Sequence, residues 1–298
     1  MDKKKIIITV HNSKFHADDV FSVATLFLLF EKEYDISVVR TRDQKIIDES
    51  DYAVDVGDSY DPEKNRFDHH QIGGAGKREN GIPYASFGLV WKKFGEELCG
   101  SNIVAEKIDL ALVQGIDATD NGIEISKATF PDVYMYDIGD FVDMFTPTWK
   151  ESGETLDQTF LEVVSYAKMI LLREIKRYTD KMEAREKVIE VYKQSSDKRI
   201  IIFDRTYPAD EFLSEFPEPV FKIAPKDDGT WMVTAINSGK YSFASRKLLP
   251  EKWAGKRDTE LQEVTGIPEA IFCHNGRFIA VTQTKDSAIR MAQMALEA

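Results

Sequence analysis

Apolar residues change rhythm several times along the chain. Ile6-Ile7-Ile8-Thr9-Val10 is a β-branched run behind three lysines, which predicts a buried strand running into a loop at His11. Residues 20–30 are nearly all apolar and too long for one strand, so a buried helix is expected, with Asp18 and Asp19 at its N-terminus. Strands are predicted at 36–40 and 52–56, with a short helix at 44–49 between them. Strand, helix, strand, helix, strand is the pattern of a parallel sheet with crossover helices. Ligands of such sheets gather beyond the carboxyl ends of the strands, the edge to which His11 and Asp55 belong.

Helices are expected at 84–98 and 105–115, the second leading into Ile116-Asp117-Ala118-Thr119-Asp120-Asn121-Gly122. Residues 160–194 repeat apolar positions at helical spacing (Val163, Ala167, Leu171, Ile175, Met182, Ile189), with a break expected near Tyr178-Thr179-Asp180. That stretch suits packing within the subunit and offers a homodimer contact. From Arg199 the rhythm shortens again, with strands expected at 200–203, 220–224, 231–236, 270–273 and 278–282 and a last helix at 286–296. The fold class is therefore α/β. A parallel-sheet domain over 1–150, a helical connector over 151–198 and a smaller α/β domain over 199–298 are expected.

Composition narrows the function. The 298 residues are 43% apolar and 11% aromatic, enough for real cores. The net charge of −12 argues against a non-specific grip on long duplex nucleic acid. The excess is uneven: residues 1–150 hold 27 acidic and 17 basic side chains, and 151–298 hold 24 and 22. Cys99 and Cys273 form no CxxC pair, which suggests a reducing compartment. No stretch approaches the roughly 20 apolar residues of a spanning helix, and the N-terminus lacks the pattern of a signal peptide. A cytoplasmic protein with no membrane partner is expected.

Histidine is scarce and crowded. Four of five (His11, His16, His69, His70) fall in the first seventy residues, each cluster with carboxylates beside it: Asp18 and Asp19 after His16, Asp68 before His69. With Asp55 and Asp120 they form a mixed nitrogen and oxygen donor set, suited to Mn²⁺, Zn²⁺, Co²⁺ or Fe²⁺. The donors exceed the four of a closed structural site and suit two cations sharing a carboxylate, about 3.5–4 Å apart. Gly73-Gly74-Ala75-Gly76-Lys77 matches a phosphate loop in composition but lacks its Lys-Ser/Thr ending. Between Lys240 and Arg257 six basic residues, Arg246 and Lys247 among them, alternate with Tyr241, Phe243 and Trp253. Cations for phosphates and rings for bases make this either a substrate platform or a basic surface over a packed Trp.

His11-x4-His16-x-Asp18-Asp19, Val54-Asp55-Val56-Gly57, Asp68-His69-His70 and Asp117-x2-Asp120-Asn121-Gly122 resemble the four motifs of the DHH phosphoesterase superfamily. Val39-Arg40-Thr41-Arg42-Asp43, Leu249-Pro250-Glu251-x-Trp253-x-Gly255-x-Arg257-Asp258 and Val264-Thr265-Gly266-Ile267-Pro268 resemble its MYG1 (UPF0160) branch. The resemblance spans nearly the whole chain. It implies a manganese-dependent phosphoester hydrolase, whose eukaryotic relatives are 3′–5′ RNA exonucleases. One cation would take His11, His16 and Asp55, and the other Asp18, Asp55, His69 and Asp120. His70 would face the scissile phosphate, and Asp19 and Asp117 would orient ligands. Arg246, Lys247, Trp253, Arg257 and His274 would hold substrate. Superfamily sites usually open with His, three residues and Asp-x-Asp; here the gap is four and His16 stands at the first Asp position. The glycine pair of the last domain is Ala280-Val281. The substrate is then RNA or a short oligonucleotide, with a small phosphoester or pyrophosphate as the alternative. A non-catalytic metal-bound interaction module is the reading outside enzymes.

Overall fold

A computed structural model describes residues 3–152, 155–239 and 242–298. The chain divides into two compact units, the first ending at Thr179 and the second beginning at Asp180. Both are mixed α/β.

In the first unit, β1 (Lys4–Val10), α1 (Ala17–Phe30), β2 (Tyr34–Arg40), α2 (Gln44–Glu49) and β3 (Tyr52–Val54) follow the expected alternation. Two short strands with no clear sequence rhythm, β4 (Tyr60–Asp61) and β5 (Arg66–Phe67), complete a sheet of order β2-β1-β3-β5-β4. All its pairings are parallel except β4 with β5. Strand β3 stops at Val54, two residues earlier than expected, because Asp55 turns to a left-handed φ of 54°. Asp accepts that region where a β-branched residue would not.

Helix α1 is buried along ten consecutive residues, Ala17 to Leu26, which is why its sequence shows no polar stripe. It packs on α3 (Ser86–Cys99), with Phe21 and Phe87 5.4 Å apart between ring centroids. The single helix expected over 105–115 is three pieces: α4 (Asn102–Ile108), a π-bulge over Asp109–Val113, and α5 (Gln114–Asp120). After α6 (Ile138–Asp143) comes α7 (Leu156–Gln194), helical without the expected break at Tyr178. Its residues up to Thr179 belong to the first unit, and Phe160, Val163, Ala167 and Leu171 are buried there. Among the described residues no helix is long and apolar enough to cross a membrane.

In the second unit, β6 (Ile200–Ile202), α8 (Asp210–Leu213), β7 (Phe221–Pro225), β8 (Trp231–Ala235), α9 (Asp258–Thr265), β9 (Ala270–Cys273), β10 (Ile279–Thr282) and α10 (Lys285–Glu297) build a sheet of order β6-β7-β8-β10-β9. Its core joins Phe221, Ile223 and Val233 of the sheet with Met291 of α10, Leu261 of α9 and Trp253 from the 3-10 turn Glu251–Trp253 before it.

Trp253 is 0% exposed, so neither ring face is open to a base, and its expected stacking role is corrected. The polar neighbours fare similarly. Arg246 donates to the carbonyls of Pro219 and Ser214 at 2.9 and 2.8 Å, and Lys247 Nζ to that of Leu296 at 2.7 Å. Those side chains close the fold of the unit. Lys240 and Tyr241 lie outside the described residues. Trp253→Ala is expected to cost about 3–5 kcal/mol by leaving a cavity, measured by denaturant unfolding of the second unit's transition. A loss under about 1 kcal/mol would contradict the packing described.

Candidate metal centre

Register alone begins the site. Val10 pairs with Val54, and Val54 with Phe67, so three parallel strands end at one level. The residues that follow, His11, Asp55 and Asp68-His69-His70, are therefore set side by side although up to sixty residues separate them. The loop after His11 is tied down by Arg40, which donates to the Ser13 carbonyl at 2.5 Å and lies over the Phe160 ring at 4.9 Å. It ends at His16, the N-cap of α1. The first turn of α1 then projects Asp18 and Asp19 into the same space, and the last residue of α5 adds Asp120.

Ligand atoms form three overlapping groups, each within 4.8 Å: His11, His16 and Asp55; Asp55, His69 and His70; and Asp18, His69 and Asp120. Asp55 belongs to two of them and His69 to two, so the groups make one cluster. His11 Nε2 stands 3.1 Å from Asp19 Oδ2 and 3.3 Å from Asp55 Oδ2. His69 Nε2 lies 3.0 Å from Asp120 Oδ2 and 3.5 Å from Asp55 Oδ1. These are ion-pair distances at angles that make no hydrogen bond: His11 Nε2, Asp19 Oδ2 and His69 Nε2 are buried and unpartnered among the described residues. Buried polar atoms rarely stay unpartnered without reason, and two imidazole nitrogens aimed at shared carboxylates fit a cation as the missing partner. His11 Nδ1 sits 2.8 Å from the Asn12 carbonyl, an arrangement that leaves Nε2 as the nitrogen open to a cation.

The charges are held in deliberate order. Burial, then repulsion from Asp55 and Asp120, pushes the Asp18 carboxyl well up. Burial also raises Asp19. Asp55 goes the other way: against burial, His11 and His69 hold it far below the carboxylate range. Against burial in turn, Asp19 and Asp55 lift His11 to about 10, and Asp120 and Asp55 lift His69 to about 11. His70 is different, with its ring more than half exposed and its Nδ1 2.7 Å from Asp68 Oδ1, which raises it. Asp68 also accepts from the amides of His69, His70 and Asp58 at 2.7, 3.1 and 2.7 Å, so it fixes the whole turn.

The N-terminus of α3 supplies what the carboxylates lack. Its first three amides have no partner within the helix. Ser86 N and Phe87 N donate to Asp18 at 3.0 and 2.7 Å, and Gly88 N donates to Asp117 at 2.9 Å. The helix dipole favours both anions there. Ser86 Oγ also reaches Asp55 Oδ1 at 3.2 Å.

A profile of the family described as Uncharacterised protein family (UPF0160), the MYG1 exonuclease profile, matches residues 7–296. The chain belongs to the MYG1 (UPF0160) family. Similar relatives include the MYG1 protein of Schizosaccharomyces pombe, 32% identical over 97% of both chains. The MYG1 exonuclease of Homo sapiens is 30% identical over 97% of this chain and 85% of its own, and that of Mus musculus is 30% identical over 97% and 84%. An exopolyphosphatase-related protein of Bacteroides fragilis aligns with 99% of this chain and 92% of its own at 14% identity, but its TM-score of 0.24 carries no argument about the fold.

For this MYG1-family chain, sequence reasoning missed Arg78. Its Nη1 donates to Asp117 Oδ2 at 2.5 Å, and Nε and Nη2 fork onto Asp109 at 3.3 and 2.7 Å, with Tyr84 stacked 4.3 Å from the guanidinium. Asp109 opens the π-bulge and Asp117 lies one turn before Asp120, so Arg78 fixes the approach of α5. Asp117, raised by burial to about 7 against the pull of Arg78, touches Arg78 and Gly88. In the second unit, Arg257 lies 4.2 Å over the Phe272 ring. His274 accepts from Gly276 N at 2.9 Å and stands 4.4 Å from the Phe278 ring.

Two measurements check the site. Because His11 and His69 hold protons far above neutrality without a cation, binding must displace them. Calorimetric titration with Mn²⁺ at pH 7, in buffers of different ionisation enthalpy, is expected to show release of one to two protons per chain. Binding without proton release would show instead that both rings are already neutral before the cation arrives. At Gly88 a β carbon would stand 1.9 Å from Asp117 Oδ2 and 2.9 Å from Arg78 Nη2. Gly88→Ala is therefore expected to cost about 3 kcal/mol by overpacking and to weaken Mn²⁺ binding. A stability within about 0.5 kcal/mol of the parent would show that the approach is not tight.

Proposed function

We propose that this chain is a divalent-cation-dependent phosphodiester hydrolase, a 3′–5′ exonuclease on RNA or short oligonucleotides with manganese as its cation. The observation that carries the proposal is the convergence of His11, His16, Asp18, Asp55, His69 and Asp120, with two buried imidazole nitrogens unpartnered at the centre. Its likeness to relatives named MYG1 exonuclease supports the choice of substrate.

His11, His16 and Asp55 would hold one cation, and Asp18, Asp55, His69 and Asp120 the second, with Asp55 common to both. When bound, such cations supply Lewis acidity, which acidifies water and offsets phosphate charge. The chain's own residues do the rest. Asp19 accepts from the His16 amide at 2.9 Å and faces His11, so it orients two ligands at once. Asp68 anchors His70 through Nδ1, which leaves the exposed Nε2 edge to face a phosphate oxygen. Asp68 raises that ring's pKa and so favours its protonated form, which can donate to the developing charge and pass a proton to the leaving oxygen. The amides of α3 keep Asp18 aimed throughout.

A second reading, hydrolysis of a small phosphoester or pyrophosphate, draws support from the second unit. With Trp253 buried and Arg246 and Lys247 committed to carbonyls, the basic stretch offers less grip on a long strand than its composition implied.

Purified protein with Mn²⁺ and 5′-labelled oligonucleotides is expected to give a ladder shortening from the 3′ end; phosphate release from pyrophosphate alone would favour the second reading. His70→Ala is expected to keep Mn²⁺ bound while turnover falls by about 10²–10⁴, whereas Asp55→Asn loses both together. Full turnover in either variant would remove that residue from the mechanism.

A further inference from the structure

One surface of the first unit has no place in the chemistry above. Every residue from 122 to 137 is exposed, in a segment that runs from the end of α5 to α6 without regular structure. It is far from polar: Phe130, Val133, Tyr134, Met135 and Tyr136 are 69%, 60%, 79%, 74% and 62% exposed. An aromatic side chain carries about 150–250 Å², so the three rings alone leave about 400 Å² uncovered, already in the range of the largest apolar patch on an ordinary monomer. A segment this apolar gains nothing from lying in water.

A second uncovered surface lies on the same unit. Leu161, Ser165, Met169, Leu172 and Lys176 fall on one stripe of α7 at spacings of four, four, three and four, and all are exposed. Leu161, Met169 and Leu172 are 43%, 60% and 53% exposed. The two surfaces meet through α6. Tyr136 bonds the Asp140 carbonyl at 3.1 Å at the base of the arm, and Phe141 and Phe145 of α6 pack on Tyr166 of α7 at 6.3 and 5.5 Å.

Their charges are opposite. The arm and α6 carry Glu124, Asp132, Asp137, Asp140 and Asp143 against Lys127 alone. Residues 161–177 of α7 carry Lys168, Arg173, Lys176 and Arg177 against Glu162 and Glu174, with Lys168 paired to Glu31 and Arg177 to Glu174, so the stripe remains net basic. An acidic apolar arm and a basic apolar stripe on one chain are complementary to each other, and two copies related by a two-fold axis satisfy both at once. We propose that the 122–137 arm of one copy docks on the outer α7 stripe (Leu161, Met169, Leu172) of a second copy, and reciprocally, to form a homodimer. Arm and stripe together expose about the 800 Å² that one partner gives to a standard interface. The acidic arm also disfavours the other occupant rings suggest, single-stranded nucleic acid, whose phosphates it would repel.

Light scattering with size-exclusion chromatography on the whole chain at micromolar concentration tests this. A dimer is expected. Tyr134→Asp with Met135→Asp on the arm, or Leu172→Asp with Met169→Asp on the stripe, is expected to weaken association at least tenfold. All four positions are exposed, so circular dichroism is expected to be unchanged. Mixing the two variants is the decisive arm: each keeps the half the other lacks, so one docked arm per pair returns and heterodimer forms. A monomeric parent overturns the proposal, as does a dimer indifferent to both variants or a mixture that fails to pair. A monomer that loses oligonucleotide binding with the arm variant would assign the arm to nucleic acid instead.

Discussion

Buried negative charge is the constraint around which the first unit is arranged. Asp18, Asp19, Asp55 and Asp117 are each 2% exposed or less, within one small volume. Isolated ionised carboxylates in such a place would cost far more than the fold can spare. Helix amides, a guanidinium and imidazoles answer them. Asp18 and Asp117 take the unpaired amides of α3; Asp117 also takes Arg78; Asp19 and Asp55 face the imidazoles of His11 and His69. The account balances only partly, since both imidazole nitrogens end without hydrogen bonds. A fold whose only purpose was stability would place apolar side chains here.

The rest of the unit can be read as support for that arrangement. Three strands end level because parallel pairing sets Val10, Val54 and Phe67 in register. The left-handed turn at Asp55 stops its strand and swings the carboxylate across the ends of its neighbours. Such a conformation costs a non-glycine residue about 1 kcal/mol or more and persists where the surroundings over-determine it. Gly88 is needed because only a residue without a side chain lets Asp117 reach the helix amides. Arg78 links the loop after the paired histidines to the π-bulge and α5, so the helix that carries Asp120 is held by one guanidinium.

Much of this was visible in the sequence and some was not, for identifiable reasons. The β-branched run at 6–10 and the apolar stretch at 20–30 announced β1 and α1 because burial left no alternative pattern. Crowded histidines beside carboxylates announced the donors, and strand order explained how they meet. Arg78, Ser86 and Gly88 gave no signal, since each acts through contacts 29 to 68 residues away in sequence and none belongs to a repeating pattern. Trp253 misled because aromatic residues among cations look the same whether the ring faces solvent or closes a core; only packing separates the two. Strands of two residues, such as β4 and β5, are too short to show a period at all.

The proposed function requires this one cluster of histidines and aspartates to share cations through Asp55. Anomalous scattering from crystals grown with manganese tests it most directly. Two peaks are predicted, one bounded by His11, His16 and Asp55 and the other by Asp18, Asp55, His69 and Asp120. Fully occupied crystals with no peak among these side chains, or with peaks that leave Asp55 out, would contradict it.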